Sequence, residues 1–281
     1  MEDDWAICGN YGGKENSLFL IFDGHAAQEI ATLSAHFFPT FLANGLGFKW
    51  ENSPGYEKVA PFLKESEGKE FLTKKDQKEI LQVLKETFGV VNQVILENFQ
   101  KKMRNKHCGA TALSILIVED KLYVGNLGDA RATIVYPNKE GGGFSFQRLS
   151  FDHKPYDPEE AERIRLLGGF IENKRINGTL AVSRCVGDYY LTPFVSSDPY
   201  VDFFDLGFLK DQRFCVAMGC DGVWDELSDH NVAKFLFDSP IFSQKEKLSQ
   251  VQVDKVADQL RYLAYCCGSD DNITVQLVVF N

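Results

Sequence analysis

Hydrophobic positions along this chain follow two periods, and the changes between them mark out its elements. The run Leu18-Phe19-Leu20-Ile21-Phe22 is short and continuous, which suits a strand buried on both faces. After Asp23-Gly24-His25, the residues Ile30, Ala31, Leu33, Phe37 and Phe38 give a wide apolar stripe, predicting a helix over residues 26–38 that Pro39 ends. Residues 43–75 mix Gly, Pro, Trp and charge and predict no single element. Helical spacing returns over 77–102, with Ile80, Leu84, Phe88, Val91, Ile95 and Phe99 on one face. The pattern then turns β-like over 112–118, 121–127 and 131–136, joined by Glu119-Asp120 and Gly128-Asp129 turns. A hairpin loop from Asn138 to Gly143 leads to a strand over 144–149. Asp157-Pro158-Glu159-Glu160 starts a helix with a capping Asp, a Pro in the first turn and a Glu three residues after the cap, and Gly168-Gly169 stops it. Strands are expected at 179–183, 214–218 and 273–280, and helices at 228–237 and 253–266. With no repeat and no low-complexity linker, residues 1–281 are read as one domain, with strands and helices in separate runs, an α+β plan.

Composition narrows the function classes. Hydrophobic residues are 44% and charged residues 25%, enough to bury a sizeable core. A net charge of −10 argues against nucleic acid as a partner, because phosphate backbones need clustered Lys and Arg. The one dense basic run, Lys101-Lys102-Met103-Arg104-Asn105-Lys106, reads as a solvated helix end. No apolar run reaches membrane-spanning length and no signal peptide opens the chain, so a soluble protein without membrane partners is expected. The seven cysteines form no CxxC pair and no zinc spacing, and they read as reduced residues of a cytoplasmic protein, with a nuclear location left open.

The chemistry sits at three acidic strand ends. Asp23-Gly24-His25 follows the first apolar run, Asp221-Gly222-Val223-Trp224-Asp225 follows another, and Gly268-Ser269-Asp270-Asp271-Asn272 precedes the closing strand. Each Asp alone is equally well read as a turn or a helix cap. Brought together they repel one another unless a cation holds them, and carboxylates with a bare glycine carbonyl suit hard divalent ions such as Mg²⁺ or Mn²⁺. Two such ions about 3.5–4 Å apart can share a water and aim it at phosphorus or carbonyl carbon, with His25 placed to protonate a leaving oxygen. His153 reads as a turn residue bonded to backbone, Arg184 as the partner of a buried carboxylate or of carbonyls, and Trp224 as core. His36, His107 and His230 receive no role, and nothing near Cys266-Cys267 in sequence lowers a thiol pKa.

These segments, together with Met1-Glu2-Asp3, Gly109-Ala110-Thr111-Ala112, the stretch 122–132, Asp152-His153-Lys154-Pro155, the stretch 180–188 and Ser269-Asp270-Asp271-Asn272-Ile273-Thr274-Val275, resemble the metal-dependent serine/threonine protein phosphatases of type 2C. They span almost the whole chain in the family's order, whereas 43–106 matches only in helical character. The resemblance implies two antiparallel sheets packed face to face with helices outside, and a binuclear Mg²⁺ or Mn²⁺ site at one edge. It implies that Asp23 bridges both ions, that Asp221 and Asp271 hold one, and that the Gly24 carbonyl and Glu2 hold the other, with Asp3 acting through water. Asp129, with Asp225, matches the place of a weaker third ion, and His25 matches the general acid. The implied reaction is hydrolysis of phosphoserine and phosphothreonine in protein substrates, by direct attack of a water bridging the two metals.

The chain departs from the pattern in three places. The family carries an Arg that grips phosphate shortly before the position of Glu2. Here Met1 stands too close for it, so either the sequence is a piece of a longer protein or the enzyme lacks its first strand and its clamp. The neighbour of that strand would expose an unpaired edge. Ala26-Ala27 replaces a more usual Gly-containing pair and favours helix. The link from Asp188 to Asp198 is short. Two readings follow: an active phosphatase, or a catalytically weak domain that binds phosphoproteins as a regulatory scaffold.

Overall fold

The computed structural model describes residues 1–54, 56–63, 72, 75–99, 107–139 and 142–280. Among the described residues nine longer strands build two sheets: β1 (Asp4–Gly9), β2 (Ser17–Phe22), β3 (Ala112–Val118), β4 (Lys121–Leu127), β5 (Arg131–Pro137), β6 (Phe144–Arg148), β7 (Tyr200–Asp205), β8 (Phe214–Gly219) and β9 (Val275–Phe280). One sheet has the order β1-β2-β3-β4-β7 and the other β9-β8-β5-β6, with every neighbouring pair antiparallel.

Alternation along β8 explains the layering. Phe214, Val216 and Met218 point between the sheets, where they meet Ile21, Leu113, Ile115 and Val124 of the other sheet. Cys215 and Ala217 point outward against helices α4 and α5. A strand covered on both faces reads as an unbroken apolar run, which is why this one was legible. The longer helices among the described residues are α1 (Glu29–Gly45), α2 (Gln77–Asn98), α3 (Pro158–Leu166), α4 (Asp229–Asp238) and α5 (Gln250–Cys267). Ile30, Phe38 and Leu42 of α1 and Phe88 of α2 cover the outer face of the first sheet. Val232 and Leu236 of α4 and Val256 and Leu260 of α5 cover the second. Helix starts carry the expected chemistry: Asp76 accepts from the Glu79 N–H at 2.8 Å, and Asp157 from the Glu159 N–H at 3.0 Å. The α+β sandwich of packed antiparallel sheets flanked by helices is therefore observed. Among the described residues no helix is long and apolar enough to cross a membrane.

Several boundaries differ from expectation. Helix α1 starts at Glu29 rather than at residue 26, because Ala26 takes a left-handed conformation (φ 63°) at a cost of about 1–2 kcal/mol. Pro39 lies inside α1 and does not end it. Burial of Phe41 and Leu42 beyond it, at about 1.5–3 kcal/mol each, outweighs the roughly 3 kcal/mol of an interior proline. The Tyr11 hydroxyl donates to the Pro39 carbonyl. The expected strand at 179–183 is a turn, set by left-handed Asn177 and Gly178, with a single bridge between Ile176 and Leu180. Helix α2 ends at Asn98, short of 102. The basic run at 101–106, most of 64–74 and the loop residues Glu140 and Gly141 lie outside the described residues. Strands β1 and β7 were not foreseen. The outer edge of β9 carries no strand among the described residues, and a groove of about 210 Å³ beside it is lined by Trp5, Ile7, Phe19, Val253 and Leu277.

Candidate metal centre

Three two-residue strands close one edge of the sandwich: Val186–Gly187, Gly109–Ala110 and Gly24–His25, in that order. The strand β2 delivers Asp23 to this edge, and its backbone is held apart from its side chain: Thr111 N–H donates to the Asp23 carbonyl at 2.8 Å, and Asp23 N–H donates to Thr111 Oγ1 at 3.3 Å. Gly24 must be glycine, since a Cβ there would lie 2.2 Å from the Glu2 carbonyl oxygen. That close approach sets Glu2 beside the Gly24 backbone, and Glu2 N–H donates to Asn272 Oδ1 at 2.6 Å.

The loops after β8 and before β9 are tied by Cys220. Its thiol donates to the Asn272 carbonyl at 3.2 Å, and Thr274 N–H donates to its sulfur at 3.2 Å. Asp23, Cys220 and Asp221 present oxygen, sulfur and oxygen atoms within 4.8 Å of one another. Burial and the neighbouring carboxylates raise the Cys220 thiol pKa, and with its sulfur engaged by both loops it acts as a tie between them.

Electrostatics show the acidic groups converging. Burial pushes the Asp23 carboxyl well above its ordinary value, reinforced by the charges of Asp221, Asp3, Asp129 and Asp271. Asp221 is pushed up to about 7 by burial and by Asp129, Asp225 and Asp271. Asp3 is raised by burial despite a 2.6 Å hydrogen bond from Thr274 Oγ1. Asp129, fully buried at the turn after β4, is raised by burial although Lys154 opposes the shift. In this cluster Asp3 Oδ1 and Asp129 Oδ1 are buried without a hydrogen-bond donor among the described residues.

The structure thus gathers Asp23, Asp221, Asp271, Asp129, Asp225 and Asp3, with Glu2 and the Gly24 backbone alongside. Lys154 was missed as a site residue: its ammonium contacts Asp129 and stands 3.5 Å from Asp225. Burial would lower its pKa, but Asp129 and Asp225 raise it. The signal was its place after His153 in a matching motif. Asp188 was missed as well; its Oδ2 lies 2.5 Å from His25 Nε2. His153 is the expected turn residue, accepting at Nδ1 from Gly128 N–H at 3.2 Å, and burial together with the Arg184 charge depresses its pKa to about 4. Arg184 pairs with buried Glu160 and with the Asp198 carbonyl, and Trp224 is core, its Nε1–H donating to the Gly219 carbonyl at 3.0 Å.

A set of hard oxygen donors that includes undonated buried carboxylates fits divalent Mg²⁺ or Mn²⁺ and disfavours soft metals. The sequence model of the family Protein phosphatase 2C matches residues 1–273. This chain belongs to the protein phosphatase 2C family. Among relatives, Protein phosphatase 1L of Bos taurus is 31% identical over 289 residues, covering 100% of this chain and 69% of that protein. Protein phosphatase 2C homolog 1 of Schizosaccharomyces pombe is 31% identical over 243 residues, covering 84% of this chain and 59% of its own length. Against three of the relatives it matches, the chain spans 59%, 26% and 53% of their length. The fold is shared with a serine-threonine phosphatase 2C of Toxoplasma gondii at a TM-score of 0.75 and 19% identity, covering 100% of this chain and 90% of that one.

The raised carboxyls of this phosphatase 2C domain make its metal-free stability depend on pH. Above the ordinary carboxylate range, folded Asp221 and Asp23 hold protons that the unfolded chain has released, so stability falls as pH rises through their folded values. His153 works the other way, but its contribution is complete above the ordinary histidine value of 6.5. Melting in chelator is therefore expected to occur at falling temperature from about pH 6.5 to 8.5, and saturating Mg²⁺ should flatten the trend. A melting temperature that rises with pH over that window would contradict the clustered charges.

Proposed function

We propose that this chain is a metal-dependent protein phosphatase that hydrolyses phosphoserine and phosphothreonine in protein substrates. The observation that carries this reading is the convergence of six aspartates beside an accessible imidazole, in a chain matched by its family over residues 1–273. Asp23, Asp221, Asp271, Glu2 and the Gly24 carbonyl would hold two divalent ions, Mg²⁺ or Mn²⁺, and Asp129 with Asp225 a weaker third. When bound, such ions supply neutralisation of phosphoryl charge and a water acidic enough to attack phosphorus.

The chain's own residues supply the rest. His25, with its side chain 29% exposed, donates a proton to the serine or threonine oxygen, which as an alkoxide is a poor leaving group. Lys154 offsets the charge of Asp129 and Asp225. None of the seven cysteines is in a disulfide and five are buried, which supports a reducing, cytoplasmic compartment. Hydrolysis of a phosphothreonine peptide should appear with Mn²⁺ or Mg²⁺ and vanish with chelator. Uptake of metal by calorimetry without hydrolysis would instead favour a phosphoprotein-binding scaffold.

A further inference from the structure

Asp188 is placed with unusual care for a residue outside the acidic cluster. Its side chain is fully buried, and its backbone is left-handed (φ 46°), a conformation that Asp tolerates better than most residues. Its N–H donates to the Cys108 carbonyl at 3.0 Å, and its carbonyl accepts from Leu191 N–H at 2.9 Å. The preceding Gly187 N–H donates to Asn92 Oδ1 at 3.0 Å, fixing the segment to helix α2. The carboxylate meets His25 Nε2 at 2.5 Å and receives the Cys185 thiol at 3.2 Å. Gly109 leaves room for this pair, because a Cβ there would lie 2.2 Å from Asp188 Oδ2 and 2.7 Å from His25 Nε2. His25 Nδ1 has no hydrogen-bond partner among the described residues, and the ring is partly open to solvent.

We propose that Asp188 is a positioning residue: it holds the His25 ring by Nε2, so that Nδ1 carries the proton delivered to the leaving oxygen. The proposal rests on the phosphatase reading above. A carboxylate behind an imidazole fixes ring orientation and tautomer and stabilises the imidazolium. In the step it serves, a P–O bond forms to the water oxygen while the P–O bond to serine or threonine breaks with its electron pair. The leaving oxygen takes the Nδ1 proton of the His25 imidazolium, which leaves the ring neutral with its remaining hydrogen on Nε2 toward Asp188, and the attacking water loses a proton to solvent.

The test uses the wild type, Asp188→Asn, His25→Gln and the double variant with Mn²⁺, on a phosphothreonine peptide and on p-nitrophenyl phosphate. Asp188→Asn is expected to lower kcat on the peptide about 10- to 100-fold, a share of what a positioned general acid supplies, with KM changed less than about twofold. On p-nitrophenyl phosphate, whose phenolate leaves without a proton, the loss should stay below about threefold. In the His25→Gln background Asp188→Asn should add nothing, since it acts through the ring. Equal losses on both substrates, or additive losses in the double variant, overturn the positioning role while leaving the phosphatase reading intact. Absence of hydrolysis in the wild type overturns both. Should Asp188→Asn fail to fold, nitrogen-15 NMR of the wild-type His25 ring with Mg²⁺ decides: a ring that keeps its Nε2 hydrogen, as the imidazolium or as the neutral Nε2–H tautomer, supports the proposal, and a neutral ring with its hydrogen on Nδ1 overturns it.

Discussion

Asp23→Asn is expected to abolish turnover and, in chelator, to raise the melting temperature. The first effect follows from the central place of Asp23, which shares its cluster with Asp221, Asp3, Asp129 and Asp271. Losing a carboxylate that would help hold the divalent ions should remove several kcal/mol of transition-state stabilisation, a fall of at least ~10³-fold in kcat. The second effect follows from like-charge repulsion. A buried carboxylate among carboxylates is unfavourable without metal, so its removal relieves strain that function requires. Relief of about 1 kcal/mol corresponds to roughly 2–4 °C. Asparagine keeps the shape, and the Asp23 backbone is held by Thr111 independently of the side chain, so the fold is not at risk. Calorimetric melts with and without Mg²⁺, beside peptide hydrolysis, check both parts. Turnover at the wild-type rate would remove the metal centre from this account, and a lower melting temperature in chelator would remove the repulsion.

The residues legible in the sequence were those whose neighbours in sequence report their surroundings. Asp23 and Asp221 stand directly after continuous apolar runs, so a strand buried on both faces announces a carboxylate at its mouth. Asp188 and Lys154 carry no such local sign. Asp188 meets His25 across 163 residues, and Lys154 meets Asp225 across 71, so their roles exist only once the sheets have closed. The strands that escaped notice fail the periodic test for physical reasons. In β1, Trp5 and Ile7 lie on one face and are 56% and 54% exposed beside the open edge of β9, so apolar side chains do not mark a buried face there. In β7 the adjacent Phe203 and Phe204 break the alternation, each packing into a different core. Pro39 misled because local propensity opposes the helix, whereas the burial of Phe41 and Leu42 that sustains it is tertiary.

Glu160→Gln is expected to cost the fold substantial stability away from the metal site. Glu160 is 2% exposed, yet it is ionised: burial would raise its pKa, but hydrogen bonds from Arg184, Ser183 and Arg163 depress it to about 2. Arg184 Nε donates to Oε1 at 3.0 Å and Arg163 donates to Oε2 at 2.9 Å. The two guanidiniums then reach the carbonyls of Asp198 at 2.8 Å, Phe194 at 2.9 Å and Ser183 at 3.0 Å. One carboxylate thereby fastens helix α3 to the segment that carries Asp188 and, through the Ser183 N–H bond to the His153 carbonyl, to the Asp129 turn. A neutral amide leaves both arginines uncompensated, at a cost of about 3 kcal/mol, the low end for a buried pair because the arginines retain 20% and 26% exposure. The melting temperature should fall by roughly 6–12 °C at neutral pH. The sign of the pH dependence identifies the cause. With a folded value near 2 against an ordinary 4.5, the carboxylate's contribution is present above 4.5 and lost as pH falls toward 2. The gap between wild type and variant should therefore narrow as melts are taken from pH 6 down to pH 3, and a gap that stays constant would show that lost packing, not lost charge, is responsible.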